Sequence, residues 1–298
     1  MSVALTDTIF PEERYSEMRV KISADSTCDL SPEQIRAHDI GIVPLYVVKD
    51  GVSYRDGVDI TPKNIYEHFD SGKGICSTAA VSVGDYIDYF GEILQSYDAV
   101  VHLTICSDMS SCYQNAMQAA EEFPGRVFPV DARNLSSGIG LLALMGCDLA
   151  ADGMDAAGIA EVLTEKREKL DVSFVLSTLN YLHKGGRCSG IAALGANLLQ
   201  LKPCVEVVSG KMQVGKKYRG NLLKCQLAYV RDRLAGRDDL DYKRIFFTNT
   251  ALDEESVRTI RDAVAETGPW EEILLAEAGS TIACHCGPQC MGVLYFHK

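Results

Sequence analysis

A cluster of small hydroxyl and thiol residues follows a predicted strand and is the first candidate for chemistry. The mostly apolar residues 99–103 predict the buried strand, and residues 104–112 after it read Thr-Ile-Cys-Ser-Asp-Met-Ser-Ser-Cys. A helix is predicted to begin at Ser111, because Gln114 three residues later completes a capping-box pattern. Hydroxyls and unpaired backbone N–H groups at a helix N-terminus bind anions. The segment therefore predicts either an anion site or an ordinary helix cap at Ser110 and Ser111.

A second group of reactive side chains, Cys284-His285-Cys286 with Cys290, lies near the C-terminus. Cys and His are zinc ligands, but no second pair with ligand spacing accompanies this group. The eleven cysteines otherwise lie mostly in apolar or turn segments, where Cys behaves as a small hydrophobe. We therefore expect free thiols and no metal. Cys284 and His285 do not form a nucleophile pair, since neighbours in a chain rarely face each other.

Two glycine motifs resemble nucleotide-binding loops but lack the required context. Residues 138–143 fit G-x-G-x-x-A, yet six residues separate them from the preceding predicted strand, where a dinucleotide fold needs a tight turn. We expect these glycines to ease helix packing instead. Residues 210–216 fit G-x-x-x-x-G-K, but Lys217 replaces the Ser or Thr and the segment lies in a predicted hairpin. No G-x-S-x-G elbow is present. The sequence therefore predicts no cofactor.

The segments that position these residues alternate between predicted strands and helices over the first half of the chain. Strands are predicted at 20–24, 42–48, 75–78, 99–103 and 127–131, with helix starts near Ser31, Thr61, Ser82, Ser111, Ser136 or Ser137, and Asp155. Asp50-Gly51 is a hairpin signal. The alternation indicates a largely parallel sheet covered on both faces. Ligands bind such sheets at the carboxyl ends of the strands, where the Ser- and Thr-rich turns fall.

After residue 170 the pattern becomes mixed. Strands are predicted at 172–177, 204–208, 211–218, 244–248, 273–277 and 292–296, and helices at 191–201, 221–234 and after Asp253. Ser209-Gly210 joins two of these strands as an antiparallel hairpin. We therefore expect an α/β protein in three parts. Residues 1–17 form an extension, 18–170 a domain with a mostly parallel sheet, and 171–298 a domain with a mixed sheet.

Composition limits the classes of function. The 298 residues are 47% hydrophobic and 23% charged, which is typical of globular proteins, and no apolar run approaches the ~20 residues of a membrane span. The N-terminus lacks a signal-peptide pattern, so we expect a cytoplasmic protein without stable membrane insertion. The net charge of −12 disfavours nucleic acid as a partner. Residues 184–224, with eight basic residues and one acidic, indicate a face for an anionic ligand or partner.

Five blocks in order resemble the DegV family, the bacterial fatty-acid-binding proteins that serve as the binding subunit of fatty acid kinase. The blocks are Asp25 to Leu30; Val43 to Leu45 with Tyr54 to Ile60; Ser107 to Gln114; Tyr181 to Arg187 continuing to Lys202-Pro203; and His285 to Pro288. The resemblance covers roughly residues 20–298. It implies two α/β domains with the acyl chain in a tunnel between them. It also implies that Thr78, Ser110 with Ser111, and His285 hold the carboxylate.

The implied function is that of a carrier without catalytic residues. It would bind a long-chain fatty acid and present the carboxylate to a separate ATP-dependent fatty acid kinase, which forms an acyl phosphate. Basic residues would dock that partner: Lys184, Arg187, Lys202, Lys216, Lys217 and Arg219. Two alternatives remain open. One is a stand-alone hydrolase or acid-activating enzyme that uses Ser110 or His285, and the other is a lipid-sensing regulatory protein.

Overall fold

The computed structural model describes residues 18–188 and 201–298. The predicted extension 1–17 therefore lies outside the described residues, as does the helix predicted at 191–201 except for its last residue. The strands are β1 Val20–Asp25, β2 Gly41–Val43, β3 Tyr46–Lys49, β4 Val52–Arg55, β5 Ser77–Ala79, β6 Ala99–Thr104, β7 Val127–Asp131, β8 Leu170–Val175, β9 Leu201–Val208, β10 Lys211–Arg219, β11 Leu240–Asn249, β12 Glu272–Glu277 and β13 Met291–His297. The helices are α1 Pro32–Ala37, α2 Pro62–His68, α3 Val83–Ile93, α4 Cys112–Ala120, α5 Ser137–Ala151, α6 Ala156–Lys166, α7 Asn180–Gly185, α8 Leu222–Leu234, α9 Glu254–Ala265 and α10 Ser280–Cys286.

The strands form two large sheets whose character the sequence predicts. The first is parallel, with the order β2-β1-β6-β7, and every residue of β6 is buried in it. The second is mixed, with the order β10-β9-β8-β13-β11-β12, and only β11 and β12 pair in parallel. The hairpin at Ser209-Gly210 is confirmed, because Val208 pairs with Lys211. The proposed domain boundary after residue 170 falls at the first residue of β8, and we retain this division as a proposal.

Helix α5 lies between the two sheets. It contacts β1 and β6 on one side and β8, β11 and β13 on the other, and its first eight residues are all buried. The glycines of the G-x-G motif permit this close packing. A Cβ atom on Gly138 would lie 2.9 Å from a methyl group of Val172, and one on Gly140 would lie 2.9 Å from the carbonyl oxygen of Cys28. The motif therefore serves helix packing, as its distance from the strand predicts.

The strand predicted at 42–48 is wrong as a single element. It divides at Pro44, so that β2 joins the parallel sheet while β3 joins a separate three-stranded antiparallel sheet, β4-β3-β5. Proline lacks the N–H group that a continuous ladder requires. The hairpin at Asp50-Gly51 is confirmed, and both residues have positive φ, as a type I′ turn demands. In residues 18–188 and 201–298, no helix combines the length and apolarity needed to cross a bilayer.

Two buried carboxylates from the first third of the chain cap the buried N-terminus of α10. Asp29 accepts a hydrogen bond from the Gly279 N–H at 2.8 Å. Asp56 accepts from the N–H groups of Ser280 at 2.8 Å and Thr281 at 3.1 Å. Helix N-terminal N–H groups have no partner within the helix, and here the carboxylates satisfy them. These contacts join segments more than 200 residues apart.

Burial makes these carboxylates costly to ionise. It raises the pKa of Asp29 to about 8 and that of Asp25 to about 6, against hydrogen bonds that lower both values. The charge of nearby Asp56 adds to both increases. Asp29 therefore carries its proton at neutral pH, which lets it bind the start of α10 without placing a net charge in the core.

We predict that Asp29 makes the protein less stable as the pH rises from 6.5 to 8. Its pKa is raised in the folded state, so the folded protein binds more protons than the unfolded protein and loses stability on deprotonation. Below pH 6.5, protonation of the unfolded chain at His102 and His285 acts in the opposite direction, which sets the lower limit of the window. Asp29→Asn, which mimics the protonated acid, should remove about 1–2 kcal/mol of the change in unfolding free energy across this window.

Urea unfolding at both pH values measures this difference. Asp262→Asn, at an exposed position on α9, is the matched control and should leave the pH dependence unchanged. Equal pH dependence in Asp29→Asn and the wild type would contradict the prediction.

Candidate functional site

A cavity of about 500 Å³ lies between the carboxyl end of the parallel sheet and the six-stranded sheet. Its apolar wall includes Leu45, Ile105, Leu135, Phe174, Leu182 and Met212. Its polar wall includes Thr78, Ser110, Ser111, Arg187 and His285. The structure therefore brings all four residues predicted to hold a carboxylate to one cavity. Their role in binding stays a prediction.

Thr78 and His285 meet although 207 residues separate them. Thr78 is the central residue of β5 and pairs with Val47 of β3. His285 lies in the last turn of α10. Thr78 Oγ1 and His285 Nε2 are 3.0 Å apart, which is a hydrogen bond. The position of His285 thus depends on the capped helix, and that of Thr78 on a three-residue strand.

His285 is uncharged at neutral pH. Burial lowers the pKa of its imidazole to about 4, and the charge of Arg187 adds to the effect. Its Nδ1 is buried and has no hydrogen-bond partner among the described residues. Since unpaired buried N–H groups are rare, we assign the ring proton to Nε2, which then donates to Thr78. The hydroxyl hydrogen of Thr78 is left to donate to an anion in the cavity.

Gly185 allows α7 to pack directly on the imidazole. A Cβ atom at this position would overlap His285 Nδ1. Packing therefore requires a glycine at position 185, the last residue of α7, and Arg187 two residues on reaches the cavity wall.

Carboxylates also fix the loop that carries Ser110. Asp25 accepts a hydrogen bond from the Ile105 N–H at 2.8 Å. Asp131 accepts from the hydroxyl of Ser107 at 2.6 Å and from its N–H at 3.2 Å. The loop after β6 is thus held at two points before it reaches the cavity.

The capping box predicted at Ser111 and Gln114 is wrong. Ser111 has φ −80° and ψ 4°, whereas a capping residue is extended, and its side chain makes no capping bond. Ser110 Oγ instead accepts a hydrogen bond from the Cys112 N–H at 3.3 Å and donates to the Cys112 sulfur at 3.2 Å. Sulfur is a weak acceptor, so the Ser110 hydroxyl can turn to a stronger acceptor in the cavity.

Arg187, predicted as a docking residue, lines the cavity. Its guanidinium donates to the carbonyl oxygen of Gly185 at 2.7 Å. A permanent positive charge therefore lies beside Thr78 and His285. The sequence analysis assigned Arg187 to a surface that docks a partner, because it treated the basic residues of 184–224 as one face of the protein.

The other predicted docking residues do not form a single free surface. Lys216 forms an ion pair with Asp232, and Lys202 donates to the carbonyl oxygen of Ser177 at 2.6 Å. A register shift between Val214 and Lys217 interrupts the alternation of side chains along β10. Four of these residues are nevertheless exposed: Lys184, Lys216, Lys217 and Arg219. Docking at these positions stays a prediction.

Three functional residues escaped the sequence reasoning. Asp29 and Asp56 lie in blocks that carried the family resemblance, but their capping role depends on contacts with α10. Thr281 lies one helical turn before His285 and lines the cavity. Its buried hydroxyl has no hydrogen-bond partner in the part of the chain that the structure describes. The only signal in the sequence for the capping by Asp29 and Asp56 is the presence of acidic residues after a strand and in a turn.

A narrow apolar pocket of about 30 Å³ adjoins the cavity. The two share Leu135, Phe174, Ile282 and Cys286. The pocket extends toward Leu294 in the six-stranded sheet. The cavity therefore has both a polar group of residues and an apolar wall, part of which also lines the neighbouring pocket.

The geometry does not assemble an activated nucleophile. Ser110 bonds to Cys112, and His285 bonds to Thr78. No hydrogen bond joins Ser110 to His285 among the described residues. Within the same residues, no group of three or more His, Cys, Asp or Glu side chains is arranged to hold a metal ion.

Comparison with known proteins gives a consistent match over the whole described chain. The family model described as "Uncharacterised protein, DegV family" matches residues 19–298. A DegV domain-containing protein of Deinococcus radiodurans is 31% identical over 278 residues, which cover 93% of this chain and 98% of that protein.

Solved structures agree with this match. A fatty-acid-binding DegV family protein from Thermus thermophilus is 33% identical, with a TM-score of 0.84 over 94% of this chain and 100% of that chain. A stearic acid-binding protein from Eubacterium ventriosum is 27% identical, with a TM-score of 0.79 over 94% of this chain and 98% of that chain.

We predict that, in protein stripped of bound lipid, the His285 imidazole titrates near pH 4, well below its ordinary value of 6.5. Heteronuclear NMR of the imidazole nitrogens measures the midpoint, and His285→Gln assigns the signal. Arg187→Gln should raise the pKa, since a positive charge that disfavours imidazolium is removed. A midpoint at 6.5 or above in the wild type would contradict both the burial and the neutral ring.

Proposed function

The chain belongs to the DegV family, and on that premise we propose that it binds one long-chain fatty acid in the cavity and presents the carboxylate to a separate ATP-dependent fatty acid kinase. The observation that carries the proposal is the asymmetry of the site. Thr78, Ser110, Arg187 and His285 line a cavity together with apolar residues, and four of the cavity's lining residues, including Leu135, Phe174 and Ile282, also line a neighbouring apolar pocket. Relatives with this fold bind fatty acids.

The tail of the acid accounts for most of the affinity. Each buried CH₂ group contributes about 0.8 kcal/mol, so about fifteen contribute on the order of 12 kcal/mol before the costs of ordering. A hydrogen bond to a charged carboxylate adds only about 1.5–3 kcal/mol. The apolar wall therefore determines how tightly the acid is held, and the polar end determines which way it points.

The polar end offers donors that suit a carboxylate. The Thr78 hydroxyl can donate to one oxygen while it accepts from His285 Nε2. The Ser110 hydroxyl can leave its weak bond to the Cys112 sulfur and donate as well. Arg187 supplies a full positive charge close by. A bound carboxylate would in turn raise the pKa of His285, because an opposite charge favours imidazolium.

The proposed kinase step leaves the chemistry to the partner. A carboxylate oxygen attacks the γ-phosphorus of ATP held by the kinase, the bond to the β-phosphate oxygen breaks, and ADP leaves. This chain holds the carboxylate in place and keeps the tail out of water. Arg187 would offset the added negative charge of the acyl phosphate, and exposed Lys184 and Lys217 would contact the kinase.

We predict that the protein purified from bacterial cells carries one fatty acid per chain. Native mass spectrometry followed by extraction and identification of the lipid measures this. Ile282→Trp should abolish the adduct, because Ile282 lines both parts of the cavity and a larger side chain fills it. Circular dichroism checks that the variant folds. A wild-type protein that carries no lipid and does not bind added oleate would rule the proposal out.

We also predict that Ser110→Ala weakens binding of a fatty acid about tenfold to a hundredfold, the loss of one hydrogen bond to a carboxylate. Ser53→Ala is the matched control, since Ser53 is exposed on β4 and does not line the cavity. Displacement of a fluorescent fatty acid measures both variants. A fatty alcohol of equal length should bind wild type and Ser110→Ala more equally, because it lacks the charge.

Assays of the same variants distinguish the proposed carrier from the two alternative functions, an enzyme and a lipid sensor. A cognate kinase should phosphorylate the bound acid in the wild type and less efficiently in Ser110→Ala. If the isolated chain turned over an ester or acid without a kinase, an enzymatic function of Ser110 or His285 would be favoured instead. If the chain bound the acid and no kinase phosphorylated it, a lipid sensor would be favoured.

A further inference from the structure

The six-stranded sheet ends at β10 on one side and at β12 on the other. An edge strand leaves backbone N–H and C=O groups without partners, and proteins discourage pairing there with lysines and β-bulges. Strand β10 has both devices. Lys211 and Lys217 are exposed, and the register with β9 shifts between Val214 and Lys217. The sequence of β10 therefore opposes the addition of another strand.

Strand β12 lacks these devices. It contains no lysine or proline, and it pairs with β11 over six successive residues without a shift. Its charged residues are confined to its two ends, and one of them, Glu272, is already paired with Arg244. Leu275 in the interior of the strand is 44% exposed. Among the described residues no backbone group pairs with the outer edge of β12, so this edge can accept another strand.

A groove of about 560 Å³ lies beside this edge and is lined by residues of β12, of α9 and of the segment before α9. We call it the edge groove. Its apolar residues are Leu252, Val257 and Leu275, and its charged residues are Glu254, Arg258, Arg261 and Glu277. In the part of the chain that the structure describes, the side chains of Glu254, Arg258 and Arg261 form no ion pair. The edge groove therefore offers a partner both apolar surface and unpaired charges.

The order of the charges along α9 favours one kind of partner. Glu254, Val257, Arg258 and Arg261 are spaced at i, i+3, i+4 and i+7, so they form one stripe along the helix. The two buried residues of α9 lie on a different side. Because the stripe begins with a glutamate and ends with an arginine, an antiparallel copy of α9 places Glu254 of each copy against Arg261 of the other. The stripe is thus complementary in charge to itself.

We propose that two copies of this chain associate edge to edge, with β12 pairing antiparallel to β12 of the second copy. A two-fold axis perpendicular to the sheet relates the copies, so the two six-stranded sheets become continuous and each surface meets itself. The same axis keeps both copies of α9 on one face of the joined sheet, where they lie side by side and antiparallel. The proposal does not depend on the ligand, since no residue of the edge groove lines the cavity.

The side chains of β12 select one register for this pairing. Residues directly opposite each other in an antiparallel pair share a face of the sheet, and Ile273 and Leu274 pack into different cores on opposite faces. With Leu274 opposite its own copy, Glu271 would face Glu277, and like charges in this position are destabilising. With Leu275 opposite its own copy, the exposed leucine is buried at the axis and Glu277 faces Ile273. We therefore expect the second register.

Sedimentation velocity over a dilution series of the full-length protein tests the association. We expect the mass of two chains at high concentration and of one chain on dilution. Leu275→Glu places two like charges at the axis and should raise the dissociation constant at least about tenfold. Met117→Glu, at an equally exposed hydrophobic residue of α4, is the matched control and should leave the constant unchanged. Circular dichroism checks that both variants fold.

Two outcomes of this experiment overturn the proposal. One is a wild-type protein that stays monomeric at every concentration, which would leave the edge groove to a different protein. The other is a dimer that Leu275→Glu does not weaken, which would place the interface elsewhere on the molecule.

A charge exchange tests the antiparallel packing of the two α9 helices. Glu254→Arg and Arg261→Glu should each raise the dissociation constant about tenfold, because each variant brings like charges together at two symmetric positions. The double variant restores opposite charges and should return the constant to within about threefold of wild type. Both positions are exposed, so the variants should keep their fold. A double variant as weak as the weaker single variant overturns the proposed packing of α9.

Discussion

The site depends on the capping of a short buried helix. Helix α10 has seven residues, six of them buried, so its first N–H groups cannot be satisfied by water. Asp29 and Asp56 supply the missing acceptors from segments more than 200 residues away. An unpaired buried N–H costs about 1–3 kcal/mol, so this network strongly favours one position of α10. That position places His285 against Thr78 and closes one wall of the cavity.

The electrostatics of the site follow from the same burial. The buried carboxyl groups of Asp25, Asp29 and Asp56 have no ion-pair partner among the described residues, so they could not all stay ionised in the core. Asp29 therefore stays protonated at neutral pH. Burial likewise keeps the His285 imidazole uncharged at neutral pH. Arg187 therefore contributes a full positive charge at the polar end of the cavity. The proposed ligand, a fatty acid, would satisfy both this charge and the apolar wall.

The wall of the cavity combines rigid and movable parts. The parallel sheet and α5 are packed into one large core with the six-stranded sheet, which gives the cavity a fixed floor. The short elements β5, α7 and α10 and the loop of Ser110 also line the cavity. Short elements with few backbone bonds open at low free-energy cost. Two of these elements, β5 and α10, carry the hydrogen bond between Thr78 and His285.

The sequence by itself determined the features that depend on near neighbours. It predicted the alternation that builds the parallel sheet, the two hairpins at Asp50-Gly51 and Ser209-Gly210, and the helix caps at Ser31 and Ser82, because these depend on local φ/ψ preferences and on hydrophobic period. Family resemblance supplied the four proposed carboxylate ligands. Only the tertiary structure decided which sheets the two halves of the chain around Pro44 join, the position of Arg187 in the cavity and the capping roles of Asp29 and Asp56. Each of these depends on which distant segments become neighbours, and no local pattern of residue types encodes a contact across 200 residues.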